Sequence, residues 1–170
     1  MNKAEFAAIY EANFRRVFNY ISYRVGHYSD VEDLVSTVFV HAVEKHETFD
    51  SGRGTAEMWI ISIARNVVTD YYRDMAKRQH DDIDAFAAVL PSGDILPDQQ
   101  IVQMEEQRYL IRALAVLDDR ERQMVALRYG ADLTNRQIAR QLNVSASNVG
   151  VILFRSLRKL RKELSKEVRP

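Results

Sequence analysis

Apolar residues recur at steps of three and four along almost the whole chain and nowhere alternate over the length of a strand, which restricts the fold to the all-α class. Phe6, Tyr10, Phe14, Val17, Ile21 and Val25 mark a first helix that Gly26 can end. Ser29-Asp30-Val31-Glu32 has the form of a capping box and predicts a second helix. Its buried stripe would be Leu34, Val35, Val38, Phe39, Ala42 and Val43. After the break "TFDSGRGTA", a third helix is expected from about Ala56 to Arg78, with Ile60, Ile63, Ala64, Val67, Tyr71 and Met75 on one face. These three helices form a first small domain, residues 1–78.

Residues 79–100 read as an irregular linker, because they hold two of the three prolines, a glycine and no base. Helical spacing then resumes in a second domain, residues 101–170. Helices are expected at about Ile101–Val116, Asp119–Tyr129, Thr134–Leu142 and Ser145–Lys166. The turn "LNVS" between the last two is the strongest local signal. Asn143 tolerates a left-handed conformation, Ser145 can cap the following helix, and small Ala139 permits two helices to cross closely. Ile138 and Leu142 can face Val144, Val149 and Leu153. That geometry is a helix-turn-helix, and the spacing alone also fits an ordinary α-hairpin.

Composition closes several other routes. With no cysteine there is no disulfide framework, thiolate metal site or reactive thiol. His27, His41, His46 and His80 are scattered, and no nucleophile–base pair or metal-ligand spacing stands out, so neither an enzyme nor a metal or cofactor is expected. No apolar run reaches membrane-spanning length and the first residues are broken by charges. A cytoplasmic protein without membrane insertion follows.

The zero net charge conceals an uneven distribution: −1 over residues 1–80, −5 over 81–100 and +6 over 101–170. From Arg155 to Arg169 there are seven bases against Glu163 and Glu167, a concentration suited to phosphates or simply to a solvated helical face. By their residues alone, the helices fit a stand-alone DNA-binding regulator. They also fit an interaction module whose basic helix grips an acidic partner.

Three segments together narrow the choice. "SDVEDLVSTVFVHAV", "WIISIARNVVTDYYR" and "LDDRERQMVALRYGADLTNRQIARQLNVSASNVGVILFRSLRKLRKEL" resemble, in this order, the polymerase-binding helix, the promoter-melting helix and the carboxy-terminal DNA-binding domain of bacterial sigma factors of the extracytoplasmic-function (ECF) group, in the sigma-70 family. The resemblance implies two small helical domains joined by an acidic linker, the second with a helix-turn-helix. It implies a factor that binds core RNA polymerase through the beta-prime and beta subunits, directs it to promoter DNA and assists strand opening. An anti-sigma factor is an expected further partner.

Site residues follow partly from the same resemblance, which covers the polymerase-binding set, Asn66, Phe154 and Arg155, and partly from loop chemistry and the exposed faces of the helices. For core polymerase binding they are Asp30, Glu32, Asp33, Leu34, Ser36, Thr37 and Phe39, with Ser36 and Thr37 standing where the family often has Gln and Glu. Asp30, Glu32 and Asp33 also complement the positive start of their helix. For the minus-10 element they are Phe49, Arg53, Trp59, Asn66, Asp70, Arg73 and Lys77. Asn66 matches the Asn of the family's base pocket, and its amide can both donate and accept. Phe49 can stack on a base or seal the core. For the minus-35 element they are Ser147, Asn148, Gly150, Val151, Phe154, Arg155, Arg158 and Lys159. Gly150 and Val151 replace residues commonly basic and small-polar, which shifts weight from base readout towards shape and phosphate contact.

Overall fold

Asn2 starts the first helix with a reciprocal cap: its side chain accepts from the Glu5 N–H at 2.9 Å while Glu5 accepts from the Asn2 N–H at 2.9 Å. The computed structural model describes residues 2–79 and 98–167; most of the expected linker, residues 80–97, and Arg169 of the basic tail lie outside the described residues. Helix α1 spans Lys3–Val25 and stops at Gly26, whose φ of 78° is left-handed, as its position in the sequence predicts. Helix α2 spans Tyr28–Glu44. A single 3-10 turn, His46–Thr48, and a loop lead to α3, Ala56–Gln79.

The expected capping box at Ser29 does not form. The helix starts earlier, at Tyr28, after His27 in an extended conformation without a side-chain cap bond. Ser29 is therefore already helical, and the Asp30 carboxylate accepts instead from the Tyr71 hydroxyl of α3 at 2.7 Å. That bond and burial raise the Tyr71 pKa, burial being the larger cause.

The second set of helices comprises α4 (Asp98–Leu114), α5 (Asp119–Val125), α6 (Asn135–Leu142) and α7 (Ala146–Glu167). Capping boxes at Asp118–Glu121 and Thr134–Gln137 open α5 and α6. The helix expected to run to Tyr129 instead widens into a π turn over Ala126–Gly130, closed by the Ala131 N–H on the Ala126 carbonyl at 2.8 Å. Asn143 adopts the left-handed conformation expected of it, φ 53°, and turns α6 into α7. Ile138 and Ala139 of α6 are buried with Val149 and Leu153 of α7, which gives the helix-turn-helix its small core.

Residues from both sets join one cluster. Val17, Tyr20 and Ile21 of α1 are at most 1% exposed, as are Leu127, Ala131 and Leu133 on and after the π turn. α1 packs against that turn as well as against α2. Gly130 permits the approach. A Cβ there would stand 3.1 Å from the Asn19 carbonyl oxygen and from the Tyr20 main chain. The apolar stripe of α1 is only partly core: Tyr10 and Phe14 are each more than a third exposed, lying along Phe39 with ring centroids 4.6 and 6.4 Å away. Val43, expected inside, is 43% exposed, because α2 turns it outward beside Val40.

Candidate polymerase and nucleic-acid interfaces

On α7 the buried stripe Val149, Leu153, Ser156 and Leu160 fixes which face is free. Ser145 holds the start of the helix, accepting from the Asn148 N–H at 3.1 Å. Ser147, Val151, Phe154, Arg155 and Arg158 project outward, and Phe154, 65% exposed, has the Arg158 guanidinium 6.0 Å from its ring centroid. Asn148 and Gly150 are half-buried at the edge of this face. A Cβ on Gly150 would meet only the Asn135 amide nitrogen, at an ordinary 3.9 Å. Lys159 departs from the expected set. Its ammonium lies 2.7 and 2.9 Å from the two carboxylate oxygens of Glu121, so it ties α7 to α5 from the edge of the outward face, its side chain half exposed.

The loop before α3 is shaped by its own polar contacts. The Gly52 N–H donates to the Asp50 carboxylate at 2.9 Å, and Arg53, almost fully exposed, approaches the same carboxylate at 3.5 Å. Phe49 and Trp59 meet at 5.4 Å between ring centroids, tilted by 50°, and the Trp59 N–H donates to the Thr48 hydroxyl at 3.3 Å. Phe49 therefore neither stands alone as a platform nor enters the main core. An open cleft of about 270 Å³ lies beside the pair, bounded by Arg53, Met58, Ser62 and Arg65, and on its far side by Arg140 and Gln141 of α6. Asn66, Asp70, Arg73 and Lys77 run down the exposed side of α3, with Arg73 and Asp70 paired at 3.2 Å. Arg65, Arg140 and Gln141 were not singled out by sequence, since nothing local signals that α6 would reach α3.

Of the residues expected to meet polymerase, Glu32, Asp33 and Ser36 form an exposed ridge on α2. Leu34 and Thr37 flank it half-buried, with the Thr37 hydroxyl on the Asp33 carbonyl at 2.9 Å. Asp30 is engaged by Tyr71. Phe39, 4% exposed, is a core residue that seats the helix against α1 and offers nothing to a partner. Val40 and Val43, 54% and 43% exposed, extend the ridge, and the seven-residue step from Asp33 to Val40 could have placed Val40 on it.

The sigma-70 region 2 family model matches residues 9–78, and the sigma-70 region 4 model matches residues 113–162, so both families fall on the helices that carry these faces. The chain belongs to the sigma-70 family. Its similarity lies with the ECF group: it is 26% identical to the ECF RNA polymerase sigma factor SigX of Bacillus subtilis over 94% of this chain and 83% of that one. To SigK of Mycobacterium tuberculosis it is 26% identical over 94% and 86%. To BldN of Streptomyces coelicolor it is 24% identical over 96% of this chain and 62% of that longer protein. Among solved structures, CnrH in complex with the cytosolic domain of CnrY superposes with a TM-score of 0.72, at 20% identity, over 97% of this chain and 90% of that one. The sigma factor RpoE of Bartonella quintana, in complex with the anti-sigma factor NepR, gives 0.68 at 22% identity over 99% and 98%. As an ECF sigma factor, the protein directs RNA polymerase to promoters. No helix among its described residues is long and apolar enough to cross a membrane.

Proposed function

We propose that this sigma factor divides its work among three faces. The α2 ridge of Glu32, Asp33 and Ser36, flanked by Leu34 and Thr37, docks on the beta-prime subunit of core polymerase. The cleft beside Phe49 and Trp59 receives a minus-10 base that has left its stack, with Asn66 and the polar stripe below it following the strand. The outward face of α7 enters the major groove at the minus-35 element. Functionally the chain divides at residues 1–78, 79–100 and 101–170. The acidic middle segment is guided towards the positively charged nucleic-acid channel of the polymerase.

The observation that carries this reading is the face of α7. A Ser-capped helix whose one side is locked into a helix-turn-helix core leaves Ser147, Val151, Phe154, Arg155 and Arg158 together on the other. Val151 suits a thymine methyl, the two arginines suit phosphates, and half-buried Gly150 lets the main chain come near the DNA. Modest charge suffices, because the polymerase supplies most of the nonspecific grip. The protein then acts in the cytoplasm, without a catalytic activity of its own, and an anti-sigma factor of the kind bound to its structural neighbours is its natural antagonist.

Transcription with purified core polymerase on a genomic promoter library tests the reading directly. Run-off products starting at a common minus-10/minus-35 pattern are expected from the wild type. Asp33→Arg should lose polymerase capture while keeping its helical content. A wild-type chain that binds DNA but gives no polymerase-dependent transcript would overturn it.

A further inference from the structure

The cleft beside Trp59 is furnished beyond what a single flipped base requires. Trp59 and Phe49 give it one aromatic side. Arg140 and Gln141 of α6 build the opposite side, and that wall is fastened: Arg65 donates to the Gln141 carbonyl at 3.0 Å, and the Gln141 amide donates to the Met58 carbonyl at 2.7 Å. A base on a continuous strand needs the aromatic side alone, because its phosphates leave the cleft with the strand in both directions. A facing wall suits a ligand that ends inside. The volume of about 270 Å³ lies just under the ~300 Å³ at which small-molecule sites commonly begin, which favours a small ligand.

The charge of the lining narrows the ligand further. Three guanidinium groups, of Arg53, Arg65 and Arg140, stand against one carboxylate, of Asp50, an excess of two positive charges. Arg140 is exposed, and its guanidinium makes no hydrogen bond or ion pair among the described residues. Arg65 uses only Nη1 on Gln141. Arg53 meets Asp50 no closer than 3.5 Å. Guanidinium groups match phosphate oxygens with paired N–H donors, and a phosphate monoester carries about −1.5 to −2 at neutral pH, which balances that excess. Asp50 accepts from the Gly52 N–H at 2.9 Å and keeps capacity for a further donor, such as the amino group of a base.

We propose that this cleft is a binding site for a free nucleoside monophosphate with an amino-bearing base, the base against the aromatic side and the phosphate held by Arg53, Arg65 and Arg140. The site does not depend on the assignment of the same cleft to a minus-10 base. A bound nucleotide would compete with the promoter strand for Trp59, and that competition, unlike the site itself, rests on the minus-10 reading.

Trp59 is the only tryptophan in the chain, so its fluorescence reports the site in the full-length protein. Adenosine monophosphate is expected to change it saturably, with half-saturation below about 1 mM. Adenosine alone and inorganic phosphate alone should each bind at least about tenfold more weakly, since each answers one side of the cleft. Arg140→Ala should weaken nucleotide binding about tenfold while keeping its helical content, and Arg140→Lys should recover part of the loss. Arg53→Ala serves in the same way if Arg140→Ala does not fold. Equilibrium dialysis of radiolabelled nucleotide gives the affinity without the fluorophore. Absence of saturable binding by both methods would overturn the proposal, as would adenosine that binds as tightly as its monophosphate, or a folded Arg140→Ala that binds like the wild type. These measurements need neither polymerase nor promoter DNA, so a wild type inactive in transcription would count against the three-face assignment and leave the nucleotide result standing on its own.

Discussion

Arg65 and Gln141, 76 residues apart in sequence, hold each other across the seam between the two helical sets: the guanidinium donates to the Gln141 carbonyl at 3.0 Å and approaches its side-chain oxygen at 3.4 Å. The Gln141 amide in turn donates to the Met58 carbonyl of the helix that bears Arg65. Each removal should destabilise the chain by about 1 kcal/mol, the usual net value of such bonds. The double variant Arg65→Ala/Gln141→Ala should lose slightly less than the sum, because the two substitutions share the 3.4 Å side-chain contact, while the Gln141 main-chain carbonyl is kept in Gln141→Ala. Thermal unfolding of the four proteins measures the coupling, and strict additivity would show that the two side chains do not interact in solution.

Substitutions on α7 should separate into two signatures. Arg155→Ala or Arg158→Ala is expected to weaken binding across many minus-35 sequences and to lower the salt slope by roughly one per lost phosphate contact. Val151→Ser should alter preference at a thymine-containing step with the slope preserved. Gly150→Arg, for which the structure leaves ordinary space at the Cβ, should raise affinity and salt dependence together. Binding to a randomised minus-35 library at two salt concentrations decides, and four silent variants would remove this face from the promoter. Lys159→Ala, by contrast, should act on stability through its pair with Glu121.

Asn66 is exposed on α3 below the Phe49–Trp59 cleft, and its proposed contact exists only once a base has left the duplex. Asn66→Ala should therefore leave closed-complex formation within about twofold and slow strand opening about tenfold, the effect of losing ~1.4 kcal/mol. Permanganate reactivity of unpaired thymines reports the opening step; normal reactivity on a matched promoter would exclude Asn66 from the pocket.

Tyr20 makes alkaline stability a probe of the seam. Its phenol is buried where α1 meets the π turn, and burial, partly offset by Arg24 and Arg65, pushes its pKa from 10.0 up to about 12. A raised folded pKa means that the folded chain keeps a proton that the unfolded chain releases. The associated stability is whole below pH 10 and drains away as pH climbs from 10 towards 12, by on the order of 3 kcal/mol. Tyr20→Phe should flatten that part of the stability–pH curve, as followed by denaturant unfolding between pH 8 and 11. An unchanged slope would show that Tyr20 is not the group responsible.

Helix identity and the recognition turn were legible because their causes are local. The spacing of Val17, Ile21 and Val25, the left-handed tolerance of Gly26 and Asn143, and the capping hydroxyl of Ser145 each act within a few residues, and each appears where the sequence places it. The Ser29 cap does not form because α2 begins one residue earlier, at Tyr28, and takes Ser29 into the helix. The bond of the neighbouring Asp30 carboxylate to the Tyr71 hydroxyl, at 2.7 Å, exists only in the folded chain. Lys159, expected at the minus-35 face, is likewise engaged by a distant partner, Glu121, 38 residues away, at 2.7 Å.

The amino-acid sequence by itself determined an all-α chain and a helix-turn-helix, because periodicity, caps and turns are written into neighbouring residues, and its resemblance to the sigma-70 family supplied the order of the segments. Only the tertiary structure decided that Val43 of the expected α2 stripe lies at the surface. It alone set Gly130 against the main chain of Asn19 and Tyr20, and Arg16, Arg24 and Arg65 on carbonyl oxygens of the second helical set. Those carbonyls are main-chain groups that every residue carries. Their availability depends on where a helix ends and what packs beside it, so no pattern of side chains along the chain could have named them.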